Sequence, residues 1–345
     1  MKKIIHMFRS GVLGLALAVA GAGFALPTNA EEVVRFAQPS DGFLYLPVYV
    51  AREKGYFKEE GIKADVSIFK GGAASLTAVL SGDSDIYIGV PAIGMKAADK
   101  GQNVRMFASI MNQYGSNIVI QGDVAKRLGL SEKSSMQDRL NALKGLTLGI
   151  TGPGSAPDLL LRHMAKATGL DPDRDITLSP LGGAAGMLAA FKQKRIDGFC
   201  LSSPTSDTAV VQMDGFTLFN MAKGEYEPLK DFLYITLIAK DSWLTQNPEL
   251  ATKVVKAIWK GQKLIAEKPA EARESVRTFF SKTDPKLFDA AWISSVPAFP
   301  SSPYISKESI EKNFDFIENV EGQRIKVKPD TIFTNRYVEA AKKAL

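Results

Sequence analysis

The chain has one cysteine, Cys200, in 345 residues. That excludes an intrachain disulfide and a thiolate metal cluster. Cys200 lies in the apolar run Gly198–Leu201 and reads as a small core residue. A secreted chain of this size can do without disulfides, because it can bury a large core. Histidine is nearly as scarce, with His6 and His163 the two present. No H-E-x-x-H or C-x-x-C motif occurs, so the zinc sites built on them are excluded. No Gly-Lys-Ser/Thr loop and no G-x-G-x-x-G spacing occurs, which excludes the common phosphate and dinucleotide cradles. Beyond the first 30 residues no apolar run is long enough to span a membrane, which takes about 20 residues.

Charge is also modest. Setting aside Lys2, Lys3 and Arg9 lowers the net charge from +6 to +3. The remaining Lys and Arg residues are scattered, so no nucleic-acid partner is expected. Those three basic residues belong to a leader. A basic start, the short apolar run Val12–Ala20 and the small residues of Thr28-Asn29-Ala30 predict a cleaved secretory signal peptide over residues 1–30. No cysteine stands near the cleavage point, so a lipid anchor there is not expected.

What the chain does have is an internal repeat. Gly71–Pro91 reads GGAASLTAVLSGDSDIYIGVP, and Gly182–Pro204 reads GGAAGMLAAFKQKRIDGFCLSSP. The two start 111 residues apart. Each is a glycine pair, a helix-like run, an Asp, and a short apolar strand ending at Pro. Val33–Gly42 precedes the first copy and Leu146–Ser155 precedes the second. Alternating strands and helices predict parallel sheets, and two copies predict two lobes with a ligand site between them.

The predicted first lobe has strands at Val33–Ala37, Ala64–Phe69, Ile86–Val90 and Val104–Ile110. Its helices are Pro47 to about Lys54, ended by Gly55, and Ser75–Leu80. Asn117–Ile120 is a connecting strand. The second lobe follows with helices Ser155–Gly169 and Ala184–Gln193, and strands Ile176–Ser179, Gly198–Leu201 and Phe216–Asn220. Phe232–Ala239 is a strand that can carry the chain back. Beyond Pro248 the pattern is helical, with prolines opening Pro248–Glu267, Pro269–Phe280 and Pro285–Val296. Ser306–Val320 and Asn335–Leu345 follow.

Several of these residues carry a resemblance. Pro47-Val48-Tyr49-Val50-Ala51, Lys54-Gly55-Tyr56-Phe57 and Glu60-Gly61-Ile62 form one run. It resembles the P-hydrophobic-A-x-x-x-G-Y/F-F-x-x-x-G-L/I signature of periplasmic substrate-binding proteins. The branch is that of taurine, alkanesulfonates, nitrate and thiamine-pyrimidine precursors. Gly71-Gly72, Leu80–Asp85, Gly154-Ser155, Gly169–Pro172, Ile196–Gly198 and Pro204 fit the same pattern in order. The resemblance covers residues 33 to about 240.

It implies the type II periplasmic binding protein fold, an α/β fold of two lobes. Each lobe would be a mainly parallel sheet flanked by helices, with the ligand cleft between them. The expected layout is a signal peptide at 1–30, the first part of lobe 1 at 31–115 and lobe 2 at 116–235. Residues 236–345 would form the return crossing, complete lobe 1 and supply the C-terminal helices. The resemblance further implies a monomer in the periplasm that closes on a solute and delivers it to the membrane permease of an ABC importer with its ATPase. No cofactor and no metal are expected. The segment before Leu143-Lys144-Gly145 is longer than usual for the family.

In such sheets ligands bind beyond the carboxyl ends of strands. The loops there are 38–45, 71–74, 90–93, 152–155, 182–185 and 202–206, and none carries Arg or Lys. A purely charge-paired oxyanion site is therefore not expected. Gly154 and Ser155 begin a helix whose free N–H groups can hold a carboxylate, sulfonate or nitro group. Ser155 with Asp158 also fits a capping box, so the serine can cap the helix, face a ligand, or do both. Gly72 with Ala73, Gly183 and Pro91 mark places where backbone can approach a ligand or simply turn.

Phe43 and Tyr45, in the first loop, are expected to lie against an apolar or flat ligand body, beside Ser40 and Asp41. Tyr87 reads as core. Gln113 and Tyr114 stand near the first crossing and reach the ligand or line the hinge. Ser202 and Ser203 offer hydroxyls before Pro204 and can equally satisfy the turn. Asp85 and Asp197 read as turn residues.

The expected solute is a small organic molecule with a sulfonate, carboxylate or similar head and an apolar or aromatic body. A pyrimidine or other heteroaromatic solute is the alternative, using acceptors such as Asp41 or Gln38. A ligand sensor for a membrane receptor and an enzyme on the same fold are more distant readings. The enzyme reading is opposed by His163. It lies about eight residues into its helix, roughly 12 Å along the axis from Ser155, too far to form a Ser–His pair.

Overall fold

A computed structural model describes residues 31–69 and 71–345. The expected signal peptide lies outside the described residues. In the first part of the chain run β1 (Glu32–Gln38), α1 (Leu46–Glu53), α2 (Tyr56–Glu59), β2 (Ile62–Ile68) and α3 (Gly72–Ser81). β3 (Ile86–Gly89), α4 (Pro91–Asp99) and β4 (Val104–Met111) follow. The chain then enters β5 (Ser116–Gln121), α5 (Gly122–Arg127), α6 (Met136–Asn141), β6 (Thr147–Ile150) and α7 (Ala156–Ala167). Next come β7 (Thr177–Pro180), α8 (Ala184–Lys192), β8 (Gly198–Ser202), α9 (Thr205–Gln212) and β9 (Gly215–Phe219). β10 (Ile235–Lys240) returns. The remainder is α10 (Asp241–Gln246), α11 (Pro248–Glu267), α12 (Pro269–Ser275), α13 (Pro285–Ser295), α14 (Lys307–Glu321) and α15 (Arg336–Lys343). Among the described residues no helix is long and apolar enough to cross a membrane.

These strands form two five-stranded sheets, ordered β2-β1-β3-β10-β4 and β7-β6-β8-β5-β9. In each, one strand runs against its neighbours: β10 in the first and β5 in the second. That strand is the one by which the chain arrives from the other sheet. The crossings fall between Met111 and Ser116 and between Phe219 and Ile235. Parallel neighbours need a crossover helix, which α3 and α8 supply. An arriving strand has no such helix, so it slots in antiparallel.

Local signals account for most element ends. Gly55, at φ +76°, takes the left-handed position after α1. Pro248 opens α11, whose buried face repeats at helical spacing through Ala251, Val254, Val255, Ile258 and Ile265. Gly261 lets α11 approach α1, since a Cβ there would stand 2.5 Å from the Pro47 carbonyl oxygen. The helix expected to run from Pro269 to Phe280 ends at Ser275, and Phe279 and Phe280 instead turn toward the first loop. The segment ahead of Thr147 has its own short helices, and a capping box joins Ser135 and Asp138. Its Arg139 guanidinium donates to the Leu218 carbonyl and pairs with Glu225, fastening the segment to the end of β9.

The C-terminal helices touch both sheets' surroundings. α13 packs on the Phe43–Tyr45 turn and on α9, while α14 packs on α4 and α7.

Candidate functional site

Among the helices that begin beyond the carboxyl end of a parallel strand are α3 after β2, α4 after β3, α7 after β6, α8 after β7 and α9 after β8. Each presents free N–H groups and the positive end of its dipole. Of the intervening loops the one between β2 and α3 has a basic residue, Lys70, in its sequence; the other four have no Arg or Lys, and the field there comes from backbone amides.

Four buried side-chain atoms at these strand ends have no well-formed hydrogen bond: Gln38 Oε1, Tyr87 Oη, Ser155 Oγ and Ser203 Oγ. Buried polar atoms are normally partnered, and such an orphan costs about 1–3 kcal/mol. Gln38 closes β1, Tyr87 lies in β3, Ser155 precedes α7 and Ser203 follows β8. Both sheets thus contribute.

The Gln38 amide is fixed by its nitrogen, which donates to the Ser40 carbonyl at 2.5 Å and to Tyr49 Oη at 2.6 Å. Its oxygen is therefore a free acceptor. Tyr87 lies flat along its strand because Gly89, two residues on, has no side chain. A Cβ on Gly89 would stand 2.1 Å from Tyr87 Oη, and one on Gly72 would stand 2.7 Å from it. The hydroxyl thus sits at the start of α3, near the Val90 backbone but without a bond of good geometry. Burial pushes its pKa up, so it stays protonated and can donate. The reading of Tyr87 as core is right for its ring and misses its hydroxyl. Gly89, on the same face of the strand, was the available signal.

Ser155 departs from the expected capping box. It occupies the N-cap position of α7 but its hydroxyl caps nothing. Asp158 instead accepts from Gly154 N at 2.7 Å and pairs with Arg162 Nε at 2.9 Å. A buried carboxylate bonds best to the nearest donor and cation, and this leaves the serine hydroxyl unused. Ser203, 3% exposed, lies close to the Asp207 carboxyl but makes no hydrogen bond of good geometry with it. Gly42, at φ +128°, brings the first loop against the Ser203 carbonyl, with 3.5 Å from a Cβ position to that oxygen.

The aromatic residues expected to face the ligand are committed to packing. Phe43 is fully buried against Phe280 at 4.6 Å and Phe288 at 5.5 Å between ring centroids. Tyr45 is 2% exposed and packs near Tyr49. Tyr114 packs on Tyr234 at 4.4 Å, and its hydroxyl donates to the Ala156 carbonyl at 2.6 Å, holding the first turn of α7. The physical reason is local: Phe43–Tyr45 forms a 3-10 turn that rotates both rings inward.

Gln113 is tied to the second crossing, donating to Leu229 O at 3.0 Å and accepting from Asp231 N at 3.1 Å. Ser40, Asp41, Ala73, Gly154 and Gly183 are exposed, Gly72 and Ser202 partly so, and Pro91 is buried as the first residue of α4.

Outside these strand ends, His163 packs between Phe316 and Tyr226, away from Ser155. Cys200 is buried, which pushes its thiol pKa up and leaves it inert.

Two mixed sheets of five strands with these loops facing across their carboxyl ends define a two-lobed α/β binding-protein fold. The chain belongs to the NMT1-like family, which matches residues 43–279. It is 27% identical to the binding protein YtlA of Bacillus subtilis (strain 168), over 78% of each chain. It is 26% identical to the nitrate/nitrite binding protein NrtA of Nostoc, over 80% of this chain and 63% of that one. The chain thus spans less than two thirds of that relative's length. The periplasmic aliphatic sulphonate binding protein SsuA of Escherichia coli superposes with a TM-score of 0.65 at 15% identity, over 86% of this chain and 91% of that one.

Proposed function

We propose that this chain is the periplasmic solute receptor of an ABC importer, capturing a small organic solute by closure of its lobes. Lobe 1 is residues 31–115 together with the returning segment 236–345, and lobe 2 is residues 116–235. The partners are the solute and the membrane permease with its ATPase. Binding selects the closed form because only there do both lobes touch the solute.

One observation carries the reading. Unpartnered buried hydroxyls from both lobes, Tyr87, Ser155 and Ser203, stand among helix starts, and the loops before α4, α7, α8 and α9 have no basic residue. That chemistry suits a sulfonate, carboxylate or similar head, held chiefly by hydroxyls and amides. The names of the nitrate/nitrite and sulphonate binding relatives are in keeping with an anionic head. Because Phe43, Tyr45 and Tyr114 are packed away, the solute body lies against backbone and the glycines Gly72 and Gly183.

A second reading rests on Gln38 Oε1, a buried acceptor without a donor. It favours a solute that brings an N–H or O–H, such as a pyrimidine.

Thermal unfolding of residues 31–345 against alkanesulfonates, nitrate, carboxylates and pyrimidines tests both. A ligand at 100 times its Kd adds about 2.7 kcal/mol, a shift of several degrees. A shift confined to anions supports the first reading, and one confined to pyrimidines the second. No shift with any class, using protein unfolded and refolded to strip bound solute, overturns the receptor reading.

A further inference from the structure

The unpartnered buried atoms at the strand ends differ in kind between the lobes. The first lobe holds an acceptor and a donor, Gln38 Oε1 and Tyr87 Oη. Both residues are fully buried. The Gln38 amide cannot turn over, because its nitrogen meets the Ser40 carbonyl, which only accepts. Tyr87 is held at the start of α3 by the missing side chains of Gly72 and Gly89. The two residues come from neighbouring parallel strands, about 4.8 Å apart, since Ala37 of β1 stands opposite Tyr87 of β3. Side chains alternate along a strand, so Gln38 leaves the sheet on the face opposite to Tyr87. Two separate atoms of a solute, rather than one hydroxyl, are needed to meet both.

The second lobe holds hydroxyls instead. Ser155 Oγ stands at the N-cap of the 12-residue α7, and Ser203 Oγ stands ahead of α9. The first-turn N–H groups of Ala156 and Asp158 have no acceptor within α7, and Pro157 between them has none to offer. Among the described residues, the unpartnered buried side-chain atoms at this lobe's strand ends include no carbonyl or carboxylate oxygen. That end suits an anionic head, which only accepts. The first lobe's end does not. A second anion there would set its lone pairs against Gln38 Oε1, and an apolar group would leave Gln38 and Tyr87 both unpaired. A neutral group with an N–H on one atom and an oxygen on the next satisfies both.

We propose that the solute is an amido acid, with its anionic head on Ser155 and the start of α7 and its amide end donating to Gln38 Oε1 and accepting from Tyr87 Oη. The inference rests on the reading of these strand ends as the solute site. It joins in one molecule the anionic head of the first reading and the N–H of the second. Closure follows, because the head bonds to one lobe and the amide to the other. A simple monoanion fills one lobe's end and a neutral amide the other, so each alone selects the closed form less strongly.

The test is calorimetric titration of residues 31–345, unfolded and refolded to strip bound solute, with butanoate, butanamide, succinate and succinamate. Malonamate and glutaramate vary the length. The best amido acid is expected to bind about tenfold more tightly than butanoate, butanamide or succinate. Tyr87→Phe, which keeps the ring, is expected to erase most of that margin. Ser155→Ala is expected to weaken acid and amido acid alike and so to keep it. Equal or tighter binding of butanoate or succinate, or an unchanged margin in Tyr87→Phe, overturns the proposal and leaves the anion reading standing. Equal or tighter binding of butanamide overturns the proposal in favour of the second reading. Should Tyr87→Phe fail to fold, the ranking in the native chain decides. If no member of the series binds while alkanesulfonates, nitrate or pyrimidines do, the proposal falls alone. If nothing binds, the receptor reading falls with it.

Discussion

In the first lobe Asp85 accepts the Arg35 N–H at 2.8 Å, and in the second Asp197 accepts the Thr147 N–H at 2.8 Å. Each pair is separated by 50 residues. Each aspartate also returns its own N–H to the partner's carbonyl, at 2.8 and 2.9 Å. The two lobes thus share one fastening between the strand ahead of the glycine-pair unit, β1 or β6, and the strand after the glycine-pair helix, β3 or β8. Beyond that point they part. Two residues after each aspartate stands an aromatic, Tyr87 or Phe199, and two further on stands Gly89 or Leu201. Gly89 lets Tyr87 lie along its strand and place a hydroxyl at the start of α3. Leu201 stands at the matching sequence position, and Phe199 packs edge-on against Phe191 at 5.4 Å. In the second lobe Gly183 faces open space, and Ser202 and Ser203 supply the hydroxyls. A shared scaffold carries different chemistry at its two strand ends, and a single glycine makes much of the difference.

The largest expected effect breaks that glycine. Gly89→Val drives a side chain into the Tyr87 ring and is expected to cost about 3 kcal/mol. Leu201→Val, at the matching position, should cost less than about 1.5 kcal/mol. Urea unfolding of both variants checks this, and equal costs would mean that the Tyr87 ring moves aside freely.

A device found in the second lobe alone comes next. The His163 ring nitrogens are buried without a well-formed hydrogen bond, and desolvation lowers the pKa from 6.5 to about 4, with Asn319 opposing. The unfolded chain therefore takes up a proton that the folded chain refuses. Stability is full above pH 6.5 and falls as pH drops toward 4, by about 3 kcal/mol in all. His163→Phe is expected to flatten that part of the profile, measured by unfolding at stepped pH.

The shared fastening itself allows a finer comparison. Asp85→Ala and Asp197→Ala should each cost about 1–2 kcal/mol through the lost backbone bond. Asp85→Ala should cost more, by no more than about 1 kcal/mol, because its half-exposed Arg35 pair at 2.6 Å is closer than the Arg127 pair of Asp197 at 3.9 Å. A larger gap in denaturant unfolding would show that the ion pair, not the backbone bond, holds the first lobe.

The smallest effect on the fold is expected at the site. Ser155→Ala removes a buried hydroxyl that bonds to nothing, so stability should rise, by about 1 kcal/mol. Affinity for an anionic solute should fall about tenfold, which calorimetric titration would read. Unchanged affinity would remove the start of α7 from the site.

The architecture was readable because it repeats. Glycine pairs, prolines at helix starts and alternating strands are local signals, and they placed most elements within a few residues. The C-terminal run after Pro269 was read too long, since Phe279 and Phe280 end their helix to pack on Tyr49 and Phe43. The site was less readable. Phe43, Tyr45 and Tyr114 look free in a loop and are buried, because a 3-10 turn and a crossing rotate their rings inward. Ser155 looks like a cap and is not one, because Arg162 helps draw the Asp158 carboxylate to Gly154.

By itself the sequence determined the two α/β lobes, the scarcity of basic residues in the strand-end loops and the scarcity of redox or metal chemistry. These follow from composition, spacing and periodicity, which act over a few residues. Only the tertiary structure decided which hydroxyls are left without partners, and that the returning strand of each sheet runs antiparallel. Hydrogen-bond satisfaction and burial depend on partners far apart in the chain, 177 residues in the contact of Asn117 with Ser294. No local pattern in the chain encodes such partners.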